Sequence, residues 1–252
     1  MIPAGDDSLY AEAVVRLPHC YQVNDSKRQI ASLSPSRTEE GLPERGIVFC
    51  CFNANYKITP PTFEAWMRIL GRVEDSVLWL LRGNASVEGN LRRETRQRGI
   101  DPGRLVFAEW RPLSEHLARH RLADLFLDTL PCNAHTTASD ALWAGLPVLT
   151  CAGKSFASRV AGSLLRASRL PELITTSLQQ YEQKAVELAE SPALLDEMRE
   201  KLRRARNEAP LFRTDRFSKH LESAYLTMWG TYTRGERPRA FTVARAAADS
   251  EG

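Results

Sequence analysis

The chain has 252 residues, enough for one large domain, and its 43% hydrophobic and 26% charged content is ordinary for a globular fold. A net charge of +3, from 34 basic and 31 acidic residues, is too balanced to imply nucleic acid, and no Lys/Arg block with interleaved aromatics occurs. Five cysteines (Cys20, Cys50, Cys51, Cys132, Cys151) with no CxxC pair argue against a disulfide framework or a zinc site, and favour reduced thiols in the cytoplasm.

Taken in chain order, Met1 to Asp7 has neither the basic region nor the apolar core of a signal peptide. Residues 1–45 lack periodicity and read as a connector whose apolar Tyr10, Val14, Val15, Leu17 and Tyr21 have no obvious partner. Gly46 to Phe52 is a continuous apolar run of strand length, as in a strand buried on both faces. Pro60 to Val73 has helical spacing, with Phe63, Trp66, Met67 and Leu70 on one stripe. Strands are then predicted at 76–81, 104–108, 125–128 and 147–150, with a last short one at 172–175. Helices are predicted at 91–98, 114–122 with Ser114 as N-cap, 136–144 and 155–167. Three further helices follow at about 178–190, 193–207 and 215–233, and 236–252 reads as a disordered tail. The arginines at 203, 204 and 206 sit beside Glu197 and Glu200 and read as a solvated face. No apolar run approaches the length of a membrane span.

Alternating strands and helices at this spacing predict βαβ units, a parallel sheet and an α/β, Rossmann-like class over 46–235. In such sheets ligands bind beyond the carboxyl ends of the strands. The loop after the fourth strand runs from Thr129 to Ala134 and opens a helix with His135, Thr136 and Thr137. Free N–H groups and the helix dipole favour an anion there, and Asp140 shares a face with Thr136. A phosphate at the helix start and a ribose hydroxyl near Asp140 suit this pattern; plain capping by threonine and a solvated aspartate suit it equally. Lys57, after the first strand, could neutralise a diphosphate or be a surface lysine. His116 and Arg119 lie three apart on one helix face, while His120 and Arg121 point elsewhere; the pair suits a uridine and its phosphates, or a solvated amphipathic helix. No G-x-G-x-x-G, Walker or G-x-S-x-G sequence occurs, and no D-x-D pair offers a divalent-metal clamp.

Together these segments resemble the catalytic region of protein O-GlcNAc transferases of the GT41 type, and the bacterial members most. The likeness is carried by Phe49–Asn53, Tyr56–Ile58, Ser76–Arg82, Leu122–Asp124, Leu127–Thr129, Cys132–Thr137, Leu142–Gly145 and Ala157–Ala161, and continues through Pro210–Phe212 to Trp229. It covers roughly residues 10 to 240. The resemblance implies a GT-B fold of two Rossmann-like domains, of which this chain is the second, with UDP-GlcNAc in the cleft. It implies a metal-independent, inverting transfer of GlcNAc to protein Ser/Thr hydroxyls, with no cofactor beyond the donor. By position, Lys57 resembles the lysine on the leaving diphosphate. His116 and Arg119 resemble uridine-side contacts. His135, Thr136 and Thr137 resemble the phosphate-binding helix start, Asp140 the ribose ligand, Cys132 a cysteine at the donor rim and Leu81 a site-lining leucine. Ala54 stands where the family carries an amide residue, and Leu113 where animal members carry a lysine beside the uracil. The family's other catalytic half and its tetratricopeptide repeats, which present protein acceptors, have no counterpart in the 252 residues. Donor binding, rather than complete catalysis by this chain alone, is therefore expected; a partner half or another sugar or acceptor are the alternatives. Neither a membrane nor a nucleic-acid partner is expected.

Overall fold

The computed structural model describes residues 1–245. Two short strands come from the ends of that span: β1 (Val15–Arg16) pairs in parallel with β8 (Phe241–Thr242). Between them lie β2 (Val48–Cys51), α1 (Pro60–Arg72), β3 (Val77–Leu81), α2 (Ala85–Gln97), β4 (Leu105–Ala108) and α3 (Leu113–Arg119). Then follow β5 (Leu125–Leu127), α4 (Thr136–Ala144), β6 (Val148–Cys151), α5 (Val160–Ala167), β7 (Ile174–Thr175), α6 (Leu178–Glu190), α7 (Pro192–Glu208) and α8 (Thr214–Thr233).

The main sheet has six strands, all parallel, in the order β4-β3-β2-β5-β6-β7. β2 is central: Phe49 is in register with Leu78 on one side and Leu125 on the other. All four residues of β2 are buried, so the unbroken apolar run reflects a strand covered on both faces. On one face α1 packs against α6, where the Trp66 indole N–H donates to the Tyr181 hydroxyl at 3.1 Å. That hydroxyl donates in turn to the Asp128 carbonyl at 2.9 Å, so two large aromatics enter the core with their polar atoms satisfied. Gly145 ends α4 at φ 91°, the left-handed conformation that glycine adopts without a Cβ penalty.

Several boundaries differ from the expectation. α2 begins six residues before Leu91, because the Asn84 side chain accepts from Val87 N–H at 3.0 Å and caps a helix too polar for its start to show in periodicity. Ser114 is not an N-cap: Pro112 precedes the helix and Ser114 lies in its first turn. α5 starts at Val160, since Ser155 to Arg159 fold as a turn held by Ser155 and Ser158. The tail is ordered in part: Phe241 N–H donates to the Val14 carbonyl at 3.1 Å, Val243 N–H donates to Arg16 at 2.9 Å, and Val243 is buried. Residues 246–252 of that tail lie outside the described residues.

The connector is packed rather than loose. Val14, Cys20, Asn24, Glu40 and Leu42 are buried, and Tyr21 meets Phe156 edge-on at 5.4 Å. Ala31 N–H donates to the Ser114 carbonyl at 3.0 Å, and Arg37 pairs with Asp124 at 3.1 Å. The connector therefore runs across the start of α3 and along α4.

Candidate functional site

β2 and β5 are neighbours, but the chain leaves them in opposite directions: β2 is followed outward by β3 and β4, and β5 by β6 and β7. This is the switch point of an open parallel sheet, where the loops beyond the strand ends part and leave a crevice. The loop after β2 supplies Asn53 and Lys57; the loop after β5 supplies Asp128 to His135.

Asp128 organises the crevice. Its Oδ1 accepts from Ala134 N–H at 2.6 Å, Thr129 N–H at 2.7 Å and Asn53 Nδ2 at 3.3 Å, and its Oδ2 accepts from the Thr150 hydroxyl at 2.7 Å. Burial nevertheless pushes its carboxyl up to about 6, against those four bonds. Asn53 also donates to the Thr129 hydroxyl at 2.8 Å and accepts from the Thr137 hydroxyl. The Asn133 amide donates to the Thr129 carbonyl at 2.8 Å. These bonds make one rigid unit of the two loops and the first turn of α4.

On this base the predicted residues assemble. The half-buried Lys57 ammonium donates to the Asn133 carbonyl at 2.9 Å, which brings its charge across the crevice to the loop before α4. His135 stands at the N-cap position of α4 with no side-chain cap, so the first N–H groups of the helix have no side-chain acceptor. Thr136 is exposed and Thr137 half-buried in that first turn. Burial lowers the His135 pKa, the nearby Lys57 charge lowers it further, and its Nε2 is buried with no hydrogen-bond partner. A cation, a neutral imidazole and an open helix terminus thus converge on one point. That combination is chemically suited to an anion such as a phosphate. Half-buried Cys132 lies two residues before Ala134 on the same loop, and half-buried Leu81 ends the neighbouring strand β3.

The histidine and arginine of α3 join the crevice differently from the expectation. The His116 ring lies 5.1 Å from that of Phe52, which follows β2. Arg119, however, is fully buried and opens no face to solvent. It donates to His116 Nδ1 from Nε at 3.1 Å and from Nη2 at 2.6 Å, and to the Glu109 carbonyl at 2.6 Å. Arginine only donates, so His116 Nδ1 is the acceptor and the ring proton sits on Nε2. Burial and the Arg119 charge push the His116 pKa down to about 4, which keeps the ring neutral. Arg119 is thus a positioning residue for His116 rather than a surface contact. His120 does not point elsewhere: it is buried, its ring meets His116 at 4.8 Å, and its Nδ1 donates to the His116 carbonyl at 2.7 Å.

Asp140, one turn into α4, is buried and ion-paired with Arg28 of the connector. Burial raises its pKa and the Arg28 charge opposes the rise. Arg28, Asn53 and Asp128 also hold the crevice together, and no role at the site was expected for them. Asp128 carried a signal, a carboxylate at a strand's carboxyl end; Arg28 carried none. Among the described residues no group of three or more His, Cys, Asp or Glu is placed to hold a metal ion, and no helix is long and apolar enough to cross a membrane.

Known proteins resemble this chain in sequence and fold. A family model described as "Glycosyl transferase family 41" matches residues 18–221. The chain is 42% identical over 241 residues to the probable UDP-N-acetylglucosamine--peptide N-acetylglucosaminyltransferase SEC of Arabidopsis thaliana, covering 93% of this chain and 25% of that one. It is also 42% identical over 203 residues to the UDP-N-acetylglucosamine--peptide N-acetylglucosaminyltransferase of Caenorhabditis elegans, covering 81% of this chain and 18% of that one. Among solved structures, a mutant O-GlcNAc transferase of Thermobaculum terrenum superposes with a TM-score of 0.81 at 32% identity, over 90% of this chain and 43% of that one. The chain thus spans about a quarter or less of the length of these two curated relatives. The neighbours identify the Rossmann-like sheet as part of a GT-B glycosyltransferase fold. By family model, sequence and architecture together, the chain belongs to glycosyl transferase family 41.

Proposed function

We propose that the chain is the donor-binding part of a protein O-GlcNAc transferase and holds UDP-GlcNAc at the β2/β5 crevice. The observation that carries this reading is the convergence of Lys57, His135 and the uncapped start of α4 across the switch point. The diphosphate lies against the N–H groups and hydroxyls of Thr136 and Thr137, with Lys57 opposite. As the sugar–phosphate bond breaks, negative charge grows on the diphosphate, and the fixed Lys57 charge and helix dipole stabilise it without reorganising. These groups do the work that a divalent ion does elsewhere, in an inverting transfer to a Ser or Thr hydroxyl of a protein acceptor. Asp140 accepts from the ribose. The neutral His116 faces the uracil, oriented by Arg119, and Leu81 and Cys132 line the rim. The names of the relatives support UDP-GlcNAc as donor and peptide as acceptor. Free, mostly buried thiols accord with a cytosolic setting.

Calorimetric titration of the chain with UDP tests the site. Saturable binding that Lys57→Ala and Asp140→Ala each weaken at least tenfold is the expected result. UDP binding that neither variant alters would sink the assignment. Transfer of radiolabelled GlcNAc to an acceptor peptide, with and without the other catalytic portion found in the relatives, tests the activity.

A further inference from the structure

Arg28 belongs to the connector, yet its side chain ends on α4. One Nη bonds Asp140 Oδ1, and the other lies 3.4 Å from the Ser139 hydroxyl. Its backbone carbonyl accepts from the Trp143 indole N–H at 3.2 Å, and its guanidinium lies 5.5 Å from that ring's centre. The segment behind it is anchored as well. The buried Asn24 donates to the Leu211 carbonyl at 3.0 Å, accepts from the Ser139 hydroxyl, and its own carbonyl accepts from the Thr214 hydroxyl at 2.6 Å. Arg28 is therefore held at both ends and is not a swinging surface side chain. A groove lined by Tyr21, Asn24, Asp25, Arg28, His135 and Thr136 runs between this segment and the start of α4. The guanidinium thus stands on the wall of the groove that leads to the proposed diphosphate position.

Resting on the reading of Asp140 as the ribose ligand, we propose that Arg28 is a specificity-determining positioning residue for the ribose. It commits one carboxylate oxygen of Asp140 to itself and thereby fixes the other toward the hydroxyls of a ribonucleotide. Without the guanidinium, Asp140 sits in a desolvated place where burial favours the neutral acid, a poorer acceptor with a free rotamer. A site that hydrogen-bonds a hydroxyl through a buried, pre-set partner rejects the analogue lacking it far better than a loose one does. Arg28 therefore acts on the choice between ribose and deoxyribose more than on the diphosphate.

The test measures the dissociation constants of UDP and 2′-deoxy-UDP for the wild type, Arg28→Gln, Arg28→Lys, Asp140→Asn and the Arg28→Gln/Asp140→Asn pair. Expected for Arg28→Gln is about a tenfold loss for UDP with less than a threefold loss for 2′-deoxy-UDP, and partial recovery in Arg28→Lys. The double variant is expected to bind UDP no worse than Asp140→Asn alone, because both act through one contact. Equal losses for both nucleotides, or additive losses in the double variant, would overturn the role of Arg28 while leaving Asp140 as the ligand. If Asp140→Asn leaves UDP binding unchanged, the ribose assignment itself fails. A thermal melt of Arg28→Gln identifies unfolding; should it unfold, Arg28→Lys, which keeps the charge but not the bidentate fork, carries the selectivity measurement.

Discussion

The Lys57 ammonium and the Asn133 carbonyl are 2.9 Å apart, although the two residues stand on loops after different strands of the sheet. This contact draws a positive charge across the switch point and aims it at the start of α4. Lys57→Met is expected to weaken UDP binding about tenfold, close to 1.4 kcal/mol, through the lost charge. Calorimetry reads the binding. A melting temperature within a few degrees of the wild type separates this from damage to the fold.

Asp128 lies under that contact. Asp128→Ala removes the acceptor of four donors, including two backbone N–H groups, and is expected to destabilise the chain by about 3 kcal/mol. Its titration has a definite sign. The folded carboxyl is raised to about 6 from an ordinary 3.8, so the folded state binds the proton more tightly than the unfolded one. The contribution is fully present below pH 4 and is lost as pH rises through 6, at about 1.4 kcal/mol per pH unit across that window. Urea melts of the wild type and Asp128→Asn between pH 4 and pH 7 check it: the variant should lack this component.

His116 of α3 and His120, the residue just after that helix, act in the opposite sense. Burial holds His116 down to about 4 and His120 down to about 3, from an ordinary 6.5. Their share of stability is fully present above pH 6.5 and is lost as pH falls toward 4 and 3, because the unfolded chain takes up the protons first. His120→Phe should reduce the acid sensitivity of the wild type by about 1.4 kcal/mol per pH unit between pH 6 and pH 4. An unchanged acid limb in denaturant melts would exclude a buried neutral His120.

Arg119 is a buried cation whose partners are the Glu109 carbonyl, His116 and, at 3.9 Å, the connector's Glu40. Arg119→Met should cost about 3 kcal/mol, since it leaves the Glu109 carbonyl and His116 Nδ1 without their donor, while Glu40 keeps Arg111 at 2.8 Å. Arg203 pairs with Glu200 on the solvated face of α7, and Arg203→Met should leave stability essentially unchanged, because solvent screens that pair. Chemical denaturation of both variants makes the comparison. Equal effects would contradict the burial of Arg119.

Much of the fold was legible because its signals are local. Val48 to Cys51 is unbroken apolar sequence, and Phe63, Trp66 and Leu70 repeat at helical spacing, so strand and helix identities follow from burial alone. Boundaries failed where a cap or a serine turn set them, as at Asn84 and Ser155, since one side-chain bond leaves no periodic trace. Lys57, His135, Thr136 and Thr137 of the proposed site were legible as loop and helix-start chemistry. Arg119 was misread because spacing shows which residues share a helix face, but not whether that face is buried.

The sequence by itself determined the α/β class, the helix that opens at Thr136 and the pieces of the proposed phosphate site, because each depends on residues within one turn or one strand. Only the tertiary structure decided that β2 lies beside β5, that Asp128 joins their two loops, and that Arg28 crosses 112 positions to reach Asp140. Strand order and the path of a connector are set by long-range burial of whole faces, and no local pattern of residue types encodes which distant face a segment will cover.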